Sequence, residues 1–253
     1  MPDQSLSPRR DLPPPAIAPP RSPSAAATPS APGRDWLFVA AVLAVVAVLV
    51  RAIWFTPVEA RQGPAQKILY VHATSAFVAL YLAFGLLAVA SALYLWLKDE
   101  KLDRVAESAA EVGLVFTTAV LVTGPLWGRP VWGAWWTWDA RLTLTLFLWF
   151  IILGYQVLRG AIEEHSLRAR YAAVLGILAA LLVPFIHLSV YLFRTLHPMP
   201  IVLKPGRPDM SPEMLVTFAS AFGAFTLLFV ALLRARYRLA TRRDALARLE
   251  AED

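Results

Sequence analysis

Residues 68–97 form a run of thirty positions without a single Asp, Glu, Lys or Arg. As a helix this run is about 45 Å long at ~1.5 Å per residue, more than the ~30 Å hydrocarbon core of a bilayer. Lipid offers no partner to backbone amides and carbonyls, so such a run spans as a helix and must tilt or project. Apolar runs also occupy 36–55, 112–127, 142–158, 171–193 and 214–233. Charged residues make up only 17% of the chain, against about 25% in a soluble domain. The expected fold is therefore all-α: a polytopic integral membrane protein with six transmembrane helices and an external tryptophan-rich segment between helices 3 and 4. The third span reads as short, with Pro125 near its end, and starts either after a mixed-charge connector at 98–111 or within it. Pro184 lacks an amide donor and predicts a kink in the fifth.

Residues 1–35 hold ten of the twenty prolines, among Ser and Ala. This composition cannot build a core and predicts a disordered tail. The expected organisation is this tail at 1–35, a six-helix membrane domain at 36–236 and a basic C-terminal tail at 237–253. Cysteine is absent, which excludes disulfides and thiolate chemistry and leaves histidine as the obvious soft-metal ligand. No Gly-rich phosphate loop and no Ser/His/Asp hydrolase pattern occurs. Six spans put both termini on one side of the membrane. The tails and the loops on that side carry sixteen Lys and Arg, the opposite side eight. The excess predicts cytoplasmic termini, and the net charge of +6 reads as topology rather than nucleic-acid binding.

Residues 127–143, WGRPVWGAWWTWDARLT, contain Trp127, Trp132, Trp135, Trp136 and Trp138, five of the nine tryptophans. Asp139 lies among them, flanked by Arg129 and Arg141. If the segment is helical, Trp132, Trp135, Trp136 and Asp139 share one face, as a flat aromatic shelf edged by a carboxylate. An interfacial aromatic belt is the plainer reading, but it needs only one or two indoles per helix end.

The histidines supply a second signal. His72 lies four residues inside the start of span two, and His187 six residues inside the end of span five. Both therefore sit about 6 to 9 Å below the outer helix ends, at ~1.5 Å per residue. Two imidazoles at one depth can ligate one iron from opposite sides. The competing reading is interhelical hydrogen bonding, to groups such as Thr74 or Ser189. His165 falls in a charged cytoplasmic loop and reads as solvated. His197 falls in an outer loop, as a candidate third ligand or gate. A flat, iron-containing macrocycle would stack on the indoles, take the histidines axially and offer propionates to Arg61, Arg129, Arg141 or Arg194. Asp139 is expected to pair with an arginine or to accept an indole N–H.

WGAWWTWDARLT at 132–143 resembles the tryptophan-rich signature of haem-handling membrane proteins of cytochrome c maturation. YVHATSA at 70–76, and FIHLSV with TLH at 185–190 and 195–197, resemble that group's histidine segments. Six spans in about 250 residues resemble its small branch, the haem exporter protein C (CcmC) family. Two features depart from the pattern: Thr74 stands where the family usually has proline, and Leu192, Phe193 and Arg194 stand where it often has tryptophans. The resemblance implies a non-enzymatic protein of the bacterial inner membrane. Its cargo would be haem b, bound at the periplasmic face with His72 and His187 as axial ligands. Trp127, Trp132, Trp135, Trp136, Trp138 and Asp139 would form the platform. The implied partners are the periplasmic haem chaperone, an ABC-transporter ATPase and its membrane subunit, a small single-span subunit and membrane lipid. Three other readings remain open from the residues: a haem lyase acting on apocytochrome c, a b-type cytochrome subunit, and a transporter with an aromatic-lined port.

Overall fold

A computed structural model of the chain describes residues 35–193, 195–199, 206, 208 and 210–252. The proline-rich tail to residue 34 lies outside them, as do Arg194 and Arg207. Among the described residues eight α-helices build six helical rods, each long and apolar enough to cross a membrane. The first rod is α1 (Trp36–Val50), capped by Asp35 and extended by a π turn over Arg51–Phe55. A 3-10 turn at Pro64–Ile68 opens the second, which continues as α2 (Leu69–Phe77), a π turn (Val78–Ala83) and α3 (Phe84–Leu97). α4 (Glu100–Trp132) and α5 (Ala140–Ala161) are the third and fourth. α6 (His165–Ala180) and α7 (Leu182–Leu192) form the fifth, and α8 (Pro212–Glu252) the sixth.

The fifth rod breaks at Leu181, between α6 and α7. Pro184 has no amide to give the Ala180 carbonyl, so the interruption falls one turn before the proline, as its ring chemistry requires. Thr74 does not disturb its rod. Its hydroxyl bonds back to the Tyr70 carbonyl at 2.6 Å, and α2 runs on through it.

α4 is central and packs against α2, α3, α5 and α8. The core includes Val78, Phe84, Leu87, Phe116, Leu148, Ile152, Tyr155 and Ile186. At Gly113 an added Cβ would come within 2.6 Å of the Phe84 ring, so a glycine is what lets α4 approach α3.

One sequence expectation changes here. Residues 98–111 are no connector: Asp99 caps α4 at the Lys101 amide, and the helix runs unbroken for 33 residues. It therefore carries Glu100, Asp103, Glu107 and Glu111 up to the apolar stretch. α8 runs for 41 residues and carries the basic stretch from 237 as helix. The two overhangs pair antiparallel. Arg236 meets Glu111, Arg243 meets Glu107 at 2.9 Å, Arg104 meets Asp244 at 3.2 Å, and Arg248 meets Glu100. Beneath them Arg159 of α5 is buried between Asp103 at 2.7 Å and Glu107 at 3.1 Å. The charges of the expected connector pair with one another and with α5 and α8, across three helices.

Candidate ligand cavity

At the other end of the bundle the tryptophan segment is not helical over 133–139. α4 ends at Trp132, and Gly133 adopts a left-handed backbone (φ 78°) while its amide bonds the Arg129 carbonyl. A Cβ is strained in that conformation, so glycine ends the helix here. The chain then runs irregularly to Asp139, which restarts it. Asp139 Oδ1 accepts from the Leu142 amide at 3.0 Å, and Thr137 donates to Oδ2 at 3.4 Å. The shared helical face expected for Trp132, Trp135, Trp136 and Asp139 does not form. Asp139 is an N-cap, and among the described residues no ion pair joins it to Arg129 or Arg141. Asp139→Ala should cost about 1 kcal/mol, a drop of about 2–4 °C in Tm for a chain of this size, whereas Asp139→Asn should be near neutral. Thermal unfolding of the detergent-solubilised protein measures both.

The indoles nevertheless converge. A cavity of about 250 Å³ is lined by Trp127, Trp132, Trp135, Trp136 and Arg141, together with His72, His187 and His197. α2, α4, α5, α7 and α8 all contribute walls, and the segment after α7 adds Pro198 and Met199. Three of the expected site residues stay outside the lining. Trp138 is 76% exposed and packs edge-on against Trp136 at 5.8 Å. Arg129 is exposed and bonds the Gly133 carbonyl. Asp139 serves as the cap.

His72 is buried. Gly124 makes room for it, since a Cβ there would approach the imidazole Cε1 at 3.3 Å. Its Nδ1 lies 3.0 Å from the Thr123 hydroxyl oxygen. That hydroxyl already donates to the Ala119 carbonyl at 2.6 Å. The Thr123 oxygen can therefore only accept, so His72 carries its proton on Nδ1 and leaves the Nε2 lone pair free. The Trp127 ring packs edge-on to His72 at 5.7 Å, and its Nε1 is anchored on Gln62 Oε1 at 3.0 Å.

The second imidazole beside His72 belongs to His197. The two ring centroids are 6.5 Å apart, and Trp132 lies 6.4 Å from His197. Arg141 Nη1 reaches His197 Nδ1 at 2.9 Å, and the Pro198 carbonyl lies 3.0 Å from the same nitrogen. Burial, with the Arg141 charge added, pushes the His197 pKa down to about 3. The ring is neutral at physiological pH. His187 lines the same cavity with different partners, its Nδ1 2.6 Å from the Tyr81 hydroxyl and its ring 6.1 Å from Tyr191. His165 opens α6 behind its cap Glu164, away from the cavity. The depth comparison singled out His72 and His187 because it counts only helical rise. Beyond Phe193 the chain leaves the helix and turns back into the cavity, and the TLH triplet at 195–197 was the visible trace of that return.

The profile of the family described as Heme exporter protein C matches residues 18–251. The chain belongs to the CcmC family. It is 35% identical over 202 residues to Heme exporter protein C of Haemophilus influenzae, covering 79% of this chain and 82% of that one. It is 36% identical over 197 residues to the Bradyrhizobium diazoefficiens protein of the same name, covering 78% and 74%. With the Rhodobacter capsulatus protein of that name it shares 32% identity over 216 residues, covering 85% and 89%. Six apolar rods and CcmC membership make this a multi-pass inner-membrane protein. The CcmC match spans both ends of the bundle, the cavity and the paired overhangs of α4 and α8.

Proposed function

We propose that the chain binds haem b as cargo at the outer face of the bacterial inner membrane and hands it to the periplasmic haem chaperone of cytochrome c maturation. The observation that carries this reading is the pair of imidazoles, His72 buried and His197 half-buried, set 6.5 Å apart in an indole-lined cavity. Two imidazoles on opposite sides of one metal, each at about 2 Å, place their ring centroids roughly 6 Å apart. A porphyrin supplies the in-plane nitrogens, so two protein ligands complete the iron. The cavity wall suits the rest of the molecule. Arg141 makes no ion pair among the described residues, Asp139 acting on it only at longer range, and it is the natural fork for a propionate. The buried Trp136 Nε1 has no hydrogen-bond partner among them either, which leaves one donor for a ligand. His187, from the Tyr81 side of the same wall, is the alternative axial partner for His72.

Names borne by the relatives and the excess of Lys and Arg at the end opposite the cavity support this placement, with both termini cytoplasmic. The ABC-transporter ATPase and membrane subunit, and a small single-span subunit, would act on the loaded chaperone. No nucleophile or acid–base pair is needed to hold and present haem, which fits a delivery protein rather than an enzyme.

The test is an absorption spectrum of the purified protein, alone and with its chaperone. The expected result is a six-coordinate, low-spin haem spectrum, and wild-type protein that takes up no added haem sinks the reading. Stacking on each indole contributes about 1 kcal/mol beyond area burial. Trp135→Ala with Trp136→Ala should thus weaken haem retention at least tenfold, with membrane insertion unchanged. Unaltered retention would return these indoles to an interfacial belt.

A further inference from the structure

Thr123 holds His72 in one tautomer, whereas His197 is offered both. Thr123 spends its hydroxyl proton on the Ala119 carbonyl, so His72 donates through Nδ1 and its Nε2 lone pair is free. His197 faces a group that can only donate. The guanidinium of Arg141 has no lone pair to offer, so in the 2.9 Å pairing with Arg141 the His197 Nδ1 accepts. The neutral ring then keeps its proton on Nε2, the nitrogen a metal would need. The Pro198 carbonyl, 3.0 Å from the same Nδ1, is the acceptor the ring would use in the other tautomer. Arg141 and the Pro198 carbonyl therefore compete for one nitrogen, and each selects a different ligating state of His197.

We propose that Arg141 is a latch that reads carboxylate groups on the cargo and only then releases His197 as a metal ligand. The inference rests on the haem reading of the cavity. A cargo carboxylate pairs with Arg141 as a bidentate, charge-assisted partner, a stronger bond than one to a neutral imidazole. Arg141 swings off Nδ1. The ring loses its proton from Nε2 and takes one up on Nδ1, with no change in its net charge, and Nδ1–H donates to the Pro198 carbonyl. The Nε2 lone pair then forms the second axial bond to iron. His72 needs no such step, so cargo meets one ligand ready and a second that depends on its carboxylates. The latch makes Arg141 a specificity determinant: a flat metalloporphyrin lacking carboxylates would be held by His72 alone.

The experiment compares iron protoporphyrin IX with its dimethyl ester, in which both propionates are capped. Purified wild-type protein should give a six-coordinate, low-spin spectrum with the acid and a five-coordinate, high-spin spectrum with the ester. Arg141→Met removes the latch, so the ester should become six-coordinate in this variant although its carboxylates remain capped. His197→Ala in the Arg141→Met background should return the ester to five-coordinate. Identical coordination of acid and ester by the wild type, or an ester that stays five-coordinate in Arg141→Met, overturns the latch. Wild-type protein that binds neither porphyrin refutes the haem reading instead, and the two failures are thereby distinct. The wild-type comparison involves no substitution, so it stands even if Arg141→Met folds poorly.

Discussion

His72→Ala and His197→Ala should each abolish the six-coordinate haem spectrum, while His187→Ala should leave it in place. The basis is proximity and tautomer. His72 and His197 are ring neighbours at 6.5 Å. The nearest partners of His187 are the tyrosines at 81 and 191. Loss of a group that merely orients a metal ligand typically costs 10–100-fold in affinity, and loss of an axial ligand itself should exceed that. His72→Ala should be the more severe, because its lone pair is preset by Thr123. Thr123→Val should fall in the 10–100-fold range, with the axial pair intact but loosened. Haem titration of the purified variants, followed by absorption and magnetic circular dichroism, reads all four. Should His187→Ala destroy the spectrum and His197→Ala spare it, the axial pair is His72 with His187, and the Arg141 latch falls with it.

At the opposite end of the bundle, Arg159→Met should be among the most destabilising single substitutions in the chain. Arg159 holds Asp103 and Glu107 within 3.1 Å, and all three side chains are at least 94% buried. Removing the cation leaves two carboxylates facing each other out of water, at a cost of about 3–5 kcal/mol. Its effect should be largely reversed by adding Asp103→Leu, because replacing a buried ion pair by apolar groups of similar size is often neutral or favourable. Arg248→Ala, which breaks the pair with Glu100, should cost less than about 1 kcal/mol, because Arg248 is 64% exposed. Thermal unfolding of the three variants against wild type measures the contrast. An Arg159→Met protein as stable as Arg248→Ala would show that water reaches the cluster.

The membrane rods were legible because thirty residues without a charge admit only a spanning helix. The overhang of α4 was not. Charge normally marks solvent, and nothing in the local sequence shows that Glu111, Glu107 and Glu100 will meet Arg236, Arg243 and Arg248 from a helix more than 120 residues away. The tryptophan segment was recognised by its composition, and its helical face was drawn only as a condition, which the structure does not meet. Gly133, and Asp139 three residues before Leu142, are a helix stop and a helix start written into the same stretch. His187 was preferred to His197 because depth can be counted along a helix, whereas the path of the irregular chain beyond Phe193 has no period to count. Arg141 was one of four candidate arginines, and only the folded geometry separates it from Arg129, whose guanidinium is spent on the Gly133 carbonyl.

The π turn at Val78–Ala83 sits between His72 and the buried core residues Phe84 and Leu87. A π turn carries one residue more than the α-helical lattice accommodates, and one residue is about 100° of rotation in a helix of 3.6 residues per turn. The imidazole-bearing half of the second rod is thus out of angular phase with the half that anchors it between α4 and α6. The surplus residue works as an indexing step. It lets the anchoring half keep its packing while the other half turns His72 toward the cavity, and it places Tyr81 on the cavity wall within the turn itself. Selection on cargo geometry and selection on packing can therefore act on a single rod without opposing each other.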